Sequence, residues 1–96
     1  MVDLARSSSK TKDPQVYVKA IPLIDRSDVE KIKAEAEEGH ILIVKITPLA
    51  KKSVEDTKEA ISQLKEYVAM LGGDIARLGE ERILITPPSV KIWRGG

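Results

Sequence analysis

The protein has 96 residues, of which 42% are hydrophobic and 32% charged, and its 16 Lys and Arg against 15 Asp and Glu give a formal net charge of +1. This length predicts one domain, and the composition is typical of a soluble globular fold. The balanced charge disfavours a generic nucleic-acid binder. The absence of cysteine excludes disulfides, thiolate metal sites and thiol nucleophiles.

The chain divides into a tether, a folded domain and a short tail. Residues 1–14 are rich in serine, lysine and aspartate without apolar periodicity, which predicts a flexible tether. The folded domain is predicted over residues 15–94, followed by the tail 95–96. No segment approaches the roughly 18 apolar residues that span a bilayer, and the start does not resemble a secretory signal. We therefore expect a cytoplasmic protein.

The first half of the domain predicts a strand followed by a helix. Residues 16–21 form a β-rich run that stops at Pro22. Ser27 and Glu30 have the spacing of a capping box, which predicts a helix start. Apolar residues then recur at helical spacing, and Gly39 follows the expected helix end.

The next two predicted elements are a buried strand and a long helix. Residues 40–47 contain adjacent apolar residues, which is typical of a central parallel strand covered on both faces. Ser53 begins a helix with apolar residues at intervals of three or four, and Gly72-Gly73 ends it.

Three short strands are predicted in the last third of the chain. Residues 74–78 and 82–86 are expected to form a hairpin, and residues 90–94 a final strand. The order β-α-β-α-β-β-β predicts a two-layer α/β sandwich, with a mixed sheet of about five strands and two helices.

Two helices cannot cover both faces of such a sheet, although the strands at 41–44 and 83–85 are apolar on both. A second copy of the chain is the simplest cover, so we expect a homodimer, and Ile43 and Ile85 are the expected contact residues. Tyr17 and Trp93, in the first and last predicted strands, indicate either packing or a peptide-docking surface.

Residues with catalytic chemistry are isolated in the sequence. His40 is the single histidine, and its place after a helix end favours an interaction with the last helix carbonyls over a catalytic role. Symmetric pairing of this histidine across a dimer stays an alternative. Asp25 and Asp28 at a helix start, and Glu80-Glu81 in a turn, are expected to be cap and solvated groups. We expect no enzymatic activity, no metal and no cofactor.

Residues 72–87, GGDIARLGEERILITP, strongly resemble the C-terminal half of the cell division protein SepF family, especially its archaeal SepF-like members. In that family a helix ends at a glycine-rich turn, and a strand with a basic residue, a turn and a strand ending in Thr-Pro follow. The strand at 41–46 and the opening at 17–22 also fit, so the resemblance covers about residues 16–94.

The resemblance implies a non-enzymatic adaptor that, as a dimer or polymer, binds the C-terminal tail of the tubulin-like division protein FtsZ and tethers it to the membrane. By position, Arg77 and Ile83 would face the FtsZ tail, and Gly72 or Gly73 would lie at a dimer or polymer contact. Bacterial members usually carry Phe at the position of Ile83, which implies a pocket shaped for a different tail.

The family's membrane anchor is an amphipathic N-terminal helix. Residues 1–6 are too short for one, so we expect the anchor to be absent or truncated here and lipid binding to be weak. The expected localisation is cytoplasmic and peripheral to the membrane at the division site.

A different class has almost the same order of elements, namely small dimeric nucleic-acid-binding domains such as the archaeal chromatin protein Alba. The net charge of +1 and the lack of an aromatic and basic stripe disfavour this alternative. We therefore expect the FtsZ tail, and not a nucleic acid, as the partner.

Overall fold

The computed structural model describes residues 15–95, so the predicted tether at 1–14 and the final residue of the tail lie outside the described residues. No helix in this part of the chain is long and apolar enough to cross a lipid bilayer. The helices and strands are, in chain order, β1 (Val18–Pro22), α1 (Asp28–Glu37), β2 (Ile41–Lys45), α2 (Thr47–Lys52), α3 (Val54–Leu71), β3 (Asp74–Leu78) and β4 (Arg82–Thr86).

The strands form one mixed sheet in the order β1-β2-β4-β3. β1 runs parallel to β2, with Val18 opposite Ile41, whereas β4 is antiparallel to both β2 and β3. This arrangement confirms the predicted α/β sandwich and places β2 inside the sheet. β1 and β3 are the edge strands of the described sheet.

The helices pack on one face of the sheet and bury the core there. Along β2, Leu42 and Val44 are buried while Ile41 and Ile43 are only partly covered, as the two-residue alternation of a strand requires. The core combines these inward residues with apolar residues of the helices and loops: Leu23, Val29, Ile32, Ala36, Leu42, Val44, Ile46, Leu49, Ala60, Leu64, Val68, Ile83 and Ile85.

The prediction of a fifth strand at 90–94 is wrong. No strand follows β4 in the described part of the chain. The Val90 N–H donates to the Pro87 carbonyl in a turn, and the Ile92 N–H donates to the Asp74 carboxylate at 3.0 Å. A side chain, and not a neighbouring strand, therefore accepts the hydrogen bond of the Ile92 N–H, and the sheet has four strands in the described part of the chain.

A third helix, α2, was not predicted. Pro48 lies in its first turn, where a missing N–H costs no helical hydrogen bond, and Leu49 is buried in the core. The helix ends at Ser53, whose backbone is extended and whose hydroxyl oxygen accepts from the Asp56 N–H at 3.1 Å. This bond confirms the predicted start of α3.

The start of α1 is where the sequence predicts it, but the predicted capping box of Ser27 and Glu30 is wrong. The Ser27 side chain makes no capping hydrogen bond. Instead, Oδ2 of Asp28 accepts from the backbone N–H groups of Asp25 and Ile24, at 3.0 and 2.9 Å. These two bonds lower the pKa of the Asp28 carboxyl. The Asp28 carboxylate therefore fixes the loop that enters the helix and does not cap a free N–H group of the helix itself.

Candidate functional site: an open sheet face and an edge groove

The side of the sheet away from the helices, here called the open sheet face, is left largely uncovered by the described residues. The strand register places one apolar residue of each strand in a row across it. That row consists of Ala20, Ile43, Leu84 and Ala76. Exposed Val18 and half-buried Ile41 extend it on one side. Such a continuous apolar patch is typical of an interaction surface.

The two expected dimer contacts on the strands have different positions. Ile43 lies on the open sheet face, in register with Leu84. Ile85 is opposite Leu42, faces the helices and is only 1% exposed. The expectation for Ile85 is therefore corrected, because successive strand residues alternate between faces and Leu84 takes the outward position.

A second surface, here called the edge groove, lies between α3 and the edge strand β3. It continues along the segment that follows β4, and its wider part has a volume of about 630 Å³. Apolar side chains and three cationic ones line it. The lining residues are Ile61, Lys65, Ile75, Ala76, Arg77, Leu78, Ile83, Ile92, Trp93 and Arg94.

The structure brings Arg77 and Ile83 together in this groove. They are direct partners in the β3–β4 ladder, so their side chains lie on the same side of the sheet. Ile83 is 1% exposed and forms part of the floor. Arg77 is exposed at the rim, where its Nη2 donates to the Glu80 carbonyl at 3.2 Å. The groove thus combines an apolar floor with a cationic rim.

A group of hydrogen bonds, here called the C-terminal clamp, holds the segment after β4 against β3. Nη1 and Nη2 of Arg94 each donate to one carboxylate oxygen of Asp74 at 3.1 Å, and Nη2 also donates to the Ile75 carbonyl at 2.9 Å. The Ile92 N–H adds a further bond to Asp74. The Arg94 guanidinium lowers the pKa of the Asp74 carboxyl to about 2, so the clamp is ionised at neutral pH.

The sequence alone does not predict most of the residues that line the edge groove beside Arg77 and Ile83. Lys65 appears in the sequence only as part of the polar face of a helix, and Asp74 and Arg94 appear as ends of short strands. The sequence allows Trp93 either a packing role or a peptide-docking role. In the structure its side chain is 85% exposed and lines the groove. Tertiary packing brings Lys65 and Trp93 into one groove, and the bonds of Asp74 to Ile92 and Arg94 hold the last segment there.

The backbone conformation and packing within one chain explain the two glycines of the α3–β3 turn. Gly72 has φ +82°, the left-handed conformation in which glycine commonly ends a helix. A Cβ on Gly73 would lie 2.4 Å from the Thr86 carbonyl oxygen and 3.2 Å from Cγ1 of Val68. Close packing of this turn on β4 therefore requires a glycine at position 73.

His40 has a structural role different from the expected interaction with helix carbonyls. Its Nδ1 accepts from the Tyr17 N–H at 3.1 Å, and its Nε2 lies 3.3 Å from the Glu38 carboxylate and 4.0 Å from that of Glu35. A neutral imidazole that accepts at Nδ1 carries its proton on Nε2 and donates it to Glu38. Glu35 is paired with Lys19 at 2.7 Å. This cluster therefore joins β1 to the end of α1, and its hydrogen bonding does not suit ligation of a cation.

The described residues form a small α/β domain with an open apolar sheet face and a groove along one sheet edge. The family model of cell division protein SepF matches residues 18–92. An uncharacterized protein of Methanocaldococcus jannaschii is 33% identical over 81 residues, which are 84% of this chain and 54% of that protein. The chain thus spans about half the length of this curated relative.

Solved structures of archaeal proteins have the same fold. A SepF-like protein from Pyrococcus furiosus is 30% identical with a TM-score of 0.77, over 86% of this chain and all of the other. A SepF-like protein from Archaeoglobus fulgidus is 26% identical with a TM-score of 0.77, over 84% and 96%. Cell division protein SepF from Methanobrevibacter smithii, in complex with FtsZ-CTD, is 21% identical with a TM-score of 0.72, over 82% and 99%. The chain belongs to the SepF family of cell division proteins, as the resemblance predicts.

Proposed function

We propose that this protein is a cell division adaptor that binds the C-terminal tail of FtsZ in the edge groove and links FtsZ filaments to the membrane as a dimer. The observation that carries the proposal is the meeting of Arg77 and Ile83 in one groove of a SepF-family fold. The SepF of Methanobrevibacter smithii, solved in complex with FtsZ-CTD, supports it.

The chemistry of the groove suits a short peptide that is both acidic and apolar. Ile83 and Ile75 provide an apolar floor and side wall, while Lys65 and Arg77 provide two cations at the rim. A peptide carboxylate can pair with Arg77 as the arginine stem covers apolar peptide side chains. Peptides bound in this way use a few anchors along an extended segment.

Dimerisation follows from the open sheet face. A second copy that packs its own sheet on this face, at the usual spacing of about 10 Å, removes the apolar row from water. Two copies present two edge grooves, so one dimer can engage two tails of one FtsZ filament and gain avidity. Gly72 and Gly73 stay the predicted site of a dimer or polymer contact.

Charge introduced on the open sheet face is expected to weaken the dimer. We expect Leu84→Glu to raise the dimer dissociation constant about tenfold, because each copy would then bury an unpaired carboxylate. Analytical ultracentrifugation over a concentration series measures this constant. Met70→Glu is the matched control, since Met70 is exposed on α3 away from this face. An unchanged dimer of folded Leu84→Glu would contradict the assignment of this face.

The adaptor role is favoured over the nucleic-acid-binding alternative by membership of a cell division family. It requires no catalytic step, and we propose none. The proposed location is the cytoplasmic side of the membrane at the division site. The predicted N-terminal region that bears on membrane attachment lies outside the described residues.

The direct test is a titration of the C-terminal tail of FtsZ from the same organism, as a labelled peptide, followed by fluorescence anisotropy. We expect saturable binding, and we expect a scrambled peptide of the same composition not to bind. Failure of a folded dimer to bind the native peptide would overturn the proposal. The same titration with duplex DNA at several salt concentrations tests the alternative, which predicts steeply salt-dependent binding.

A further inference from the structure

We propose that Trp93 is an aromatic anchor for the bound FtsZ tail, held over the edge groove by the C-terminal clamp. This inference rests on the proposed function and deepens it. It adds to the site a residue on the irregular segment after β4, outside the strand-turn-strand segment that carries the resemblance.

The first observation is the contrast between Trp93 and its two neighbours. The Ile92 backbone and the Arg94 guanidinium are both bonded to Asp74. Trp93, between them, is 85% exposed. The clamp therefore holds the Ile92 backbone and the Arg94 side chain on either side of an indole that contributes little to the core. A large aromatic side chain on a fixed but irregular segment is typical of a binding anchor.

The second observation is the position of this tryptophan along the groove. It lines the same 630 Å³ cleft as Lys65 and Arg77. A peptide lying on Ile75 in this cleft would therefore meet cationic side chains and the indole together. Such a pairing favours an extended segment with acidic groups and at least one apolar side chain, which is the chemistry proposed for the FtsZ tail.

The C-terminal clamp lowers the conformational entropy that is lost when the tail contacts Trp93. A free chain end that closes on a ligand must lose conformational entropy at that moment. Here the Asp74–Arg94 pair and the Arg94 bond to the Ile75 carbonyl order the segment before the peptide arrives. Trp93 is therefore presented in advance, and its apolar surface is available for burial by the tail.

The chain has a single tryptophan, so its intrinsic fluorescence reports this position alone. We expect a tryptophan-free FtsZ tail peptide to shift the emission maximum to shorter wavelength as it covers the indole. The midpoint of this shift should equal the midpoint of the anisotropy titration. A scrambled peptide serves as the control and should leave the emission unchanged.

Substitutions of Trp93 and Asp74 distinguish the contribution of the indole to peptide affinity from that of the C-terminal clamp. We expect Trp93→Ala to weaken peptide binding about fivefold, whereas Trp93→Phe retains most of the affinity. Asp74→Asn keeps the tryptophan but weakens the clamp, so it should give a smaller loss than Trp93→Ala. Met70→Ala is the matched control for removal of an exposed apolar side chain, because Met70 is 72% exposed and lies outside the edge groove.

The outcomes distinguish this inference from the function on which it rests. The peptide could bind without changing the emission maximum, and Trp93→Ala could bind it as tightly as the unmodified protein. These two results together would overturn the anchor role of Trp93 and leave the proposed adaptor function intact. No saturable peptide binding would overturn both. An emission maximum that depends on protein concentration but not on peptide would assign Trp93 to a contact between copies of the chain and would overturn the anchor.

Discussion

Charge reversal at the rim of the edge groove, Arg77→Glu, is expected to weaken FtsZ-tail binding by about tenfold or more. The guanidinium is exposed beside the apolar floor formed by Ile83, and its described polar contact is the Glu80 carbonyl. A glutamate at this position replaces attraction for an acidic peptide by repulsion. Anisotropy titration of the labelled tail, under the same salt conditions for both proteins, measures the change.

The matched control for this variant is Lys58→Glu, which makes the same change in net charge at an exposed position of α3 outside the groove. We expect its affinity to stay close to that of the unmodified protein. Equal dissociation constants for Arg77→Glu and the unmodified protein would remove Arg77 from the site. Equal weakening by both variants would indicate a general effect of net charge instead of a local contact.

The order of the main elements was predictable because it depends on short-range patterns. Apolar spacing located α1 and α3, and the permissive glycine after α3 has the expected left-handed backbone. The error at 90–94 has a long-range cause. That segment alternates like a strand, but its hydrogen bonds go to the Asp74 side chain, far away in sequence. The apolar periodicity of a segment does not show whether its backbone N–H groups donate to a neighbouring strand or to a carboxylate side chain.

The faces of the central strands were only partly predictable. β2 and β4 are apolar at adjacent positions, so alternation alone does not say which residues point to the helices. The register decides it, since Leu42 is opposite Ile85 and Ile43 is opposite Leu84. Ile43 therefore lies on the open sheet face as expected, and Ile85 belongs to the core.

The edge groove shows the same division between local and long-range information. The segment 72–87 carries the resemblance, and the hairpin within it makes Arg77 and Ile83 partners. Lys65 on α3 and Trp93 after β4 reach the same groove through tertiary packing. No local pattern links these two residues, and the sequence alone could not place them in the site.

The largest stability change is expected for Gly73→Ala in the turn between α3 and β3. The added methyl would lie 2.4 Å from the Thr86 carbonyl oxygen, a backbone atom that cannot rotate away, and 3.2 Å from Cγ1 of Val68. Either α3 or β4 must move, so we expect the free energy of unfolding to fall by about 2 to 3 kcal/mol. Urea denaturation followed by circular dichroism measures it.

Gly79→Asn is the control for this substitution because Gly79 also lies in a turn, with φ +66°, but a Cβ there meets nothing within 4 Å. Asparagine tolerates the left-handed conformation, so this variant should lose less than about 1 kcal/mol. A Gly73→Ala protein as stable as the control would show that the turn relaxes easily. If such a stable Gly73→Ala protein also formed fewer dimers or polymers, Gly73 would be required for a contact between copies of the chain, as the resemblance implies, and not for packing within one chain.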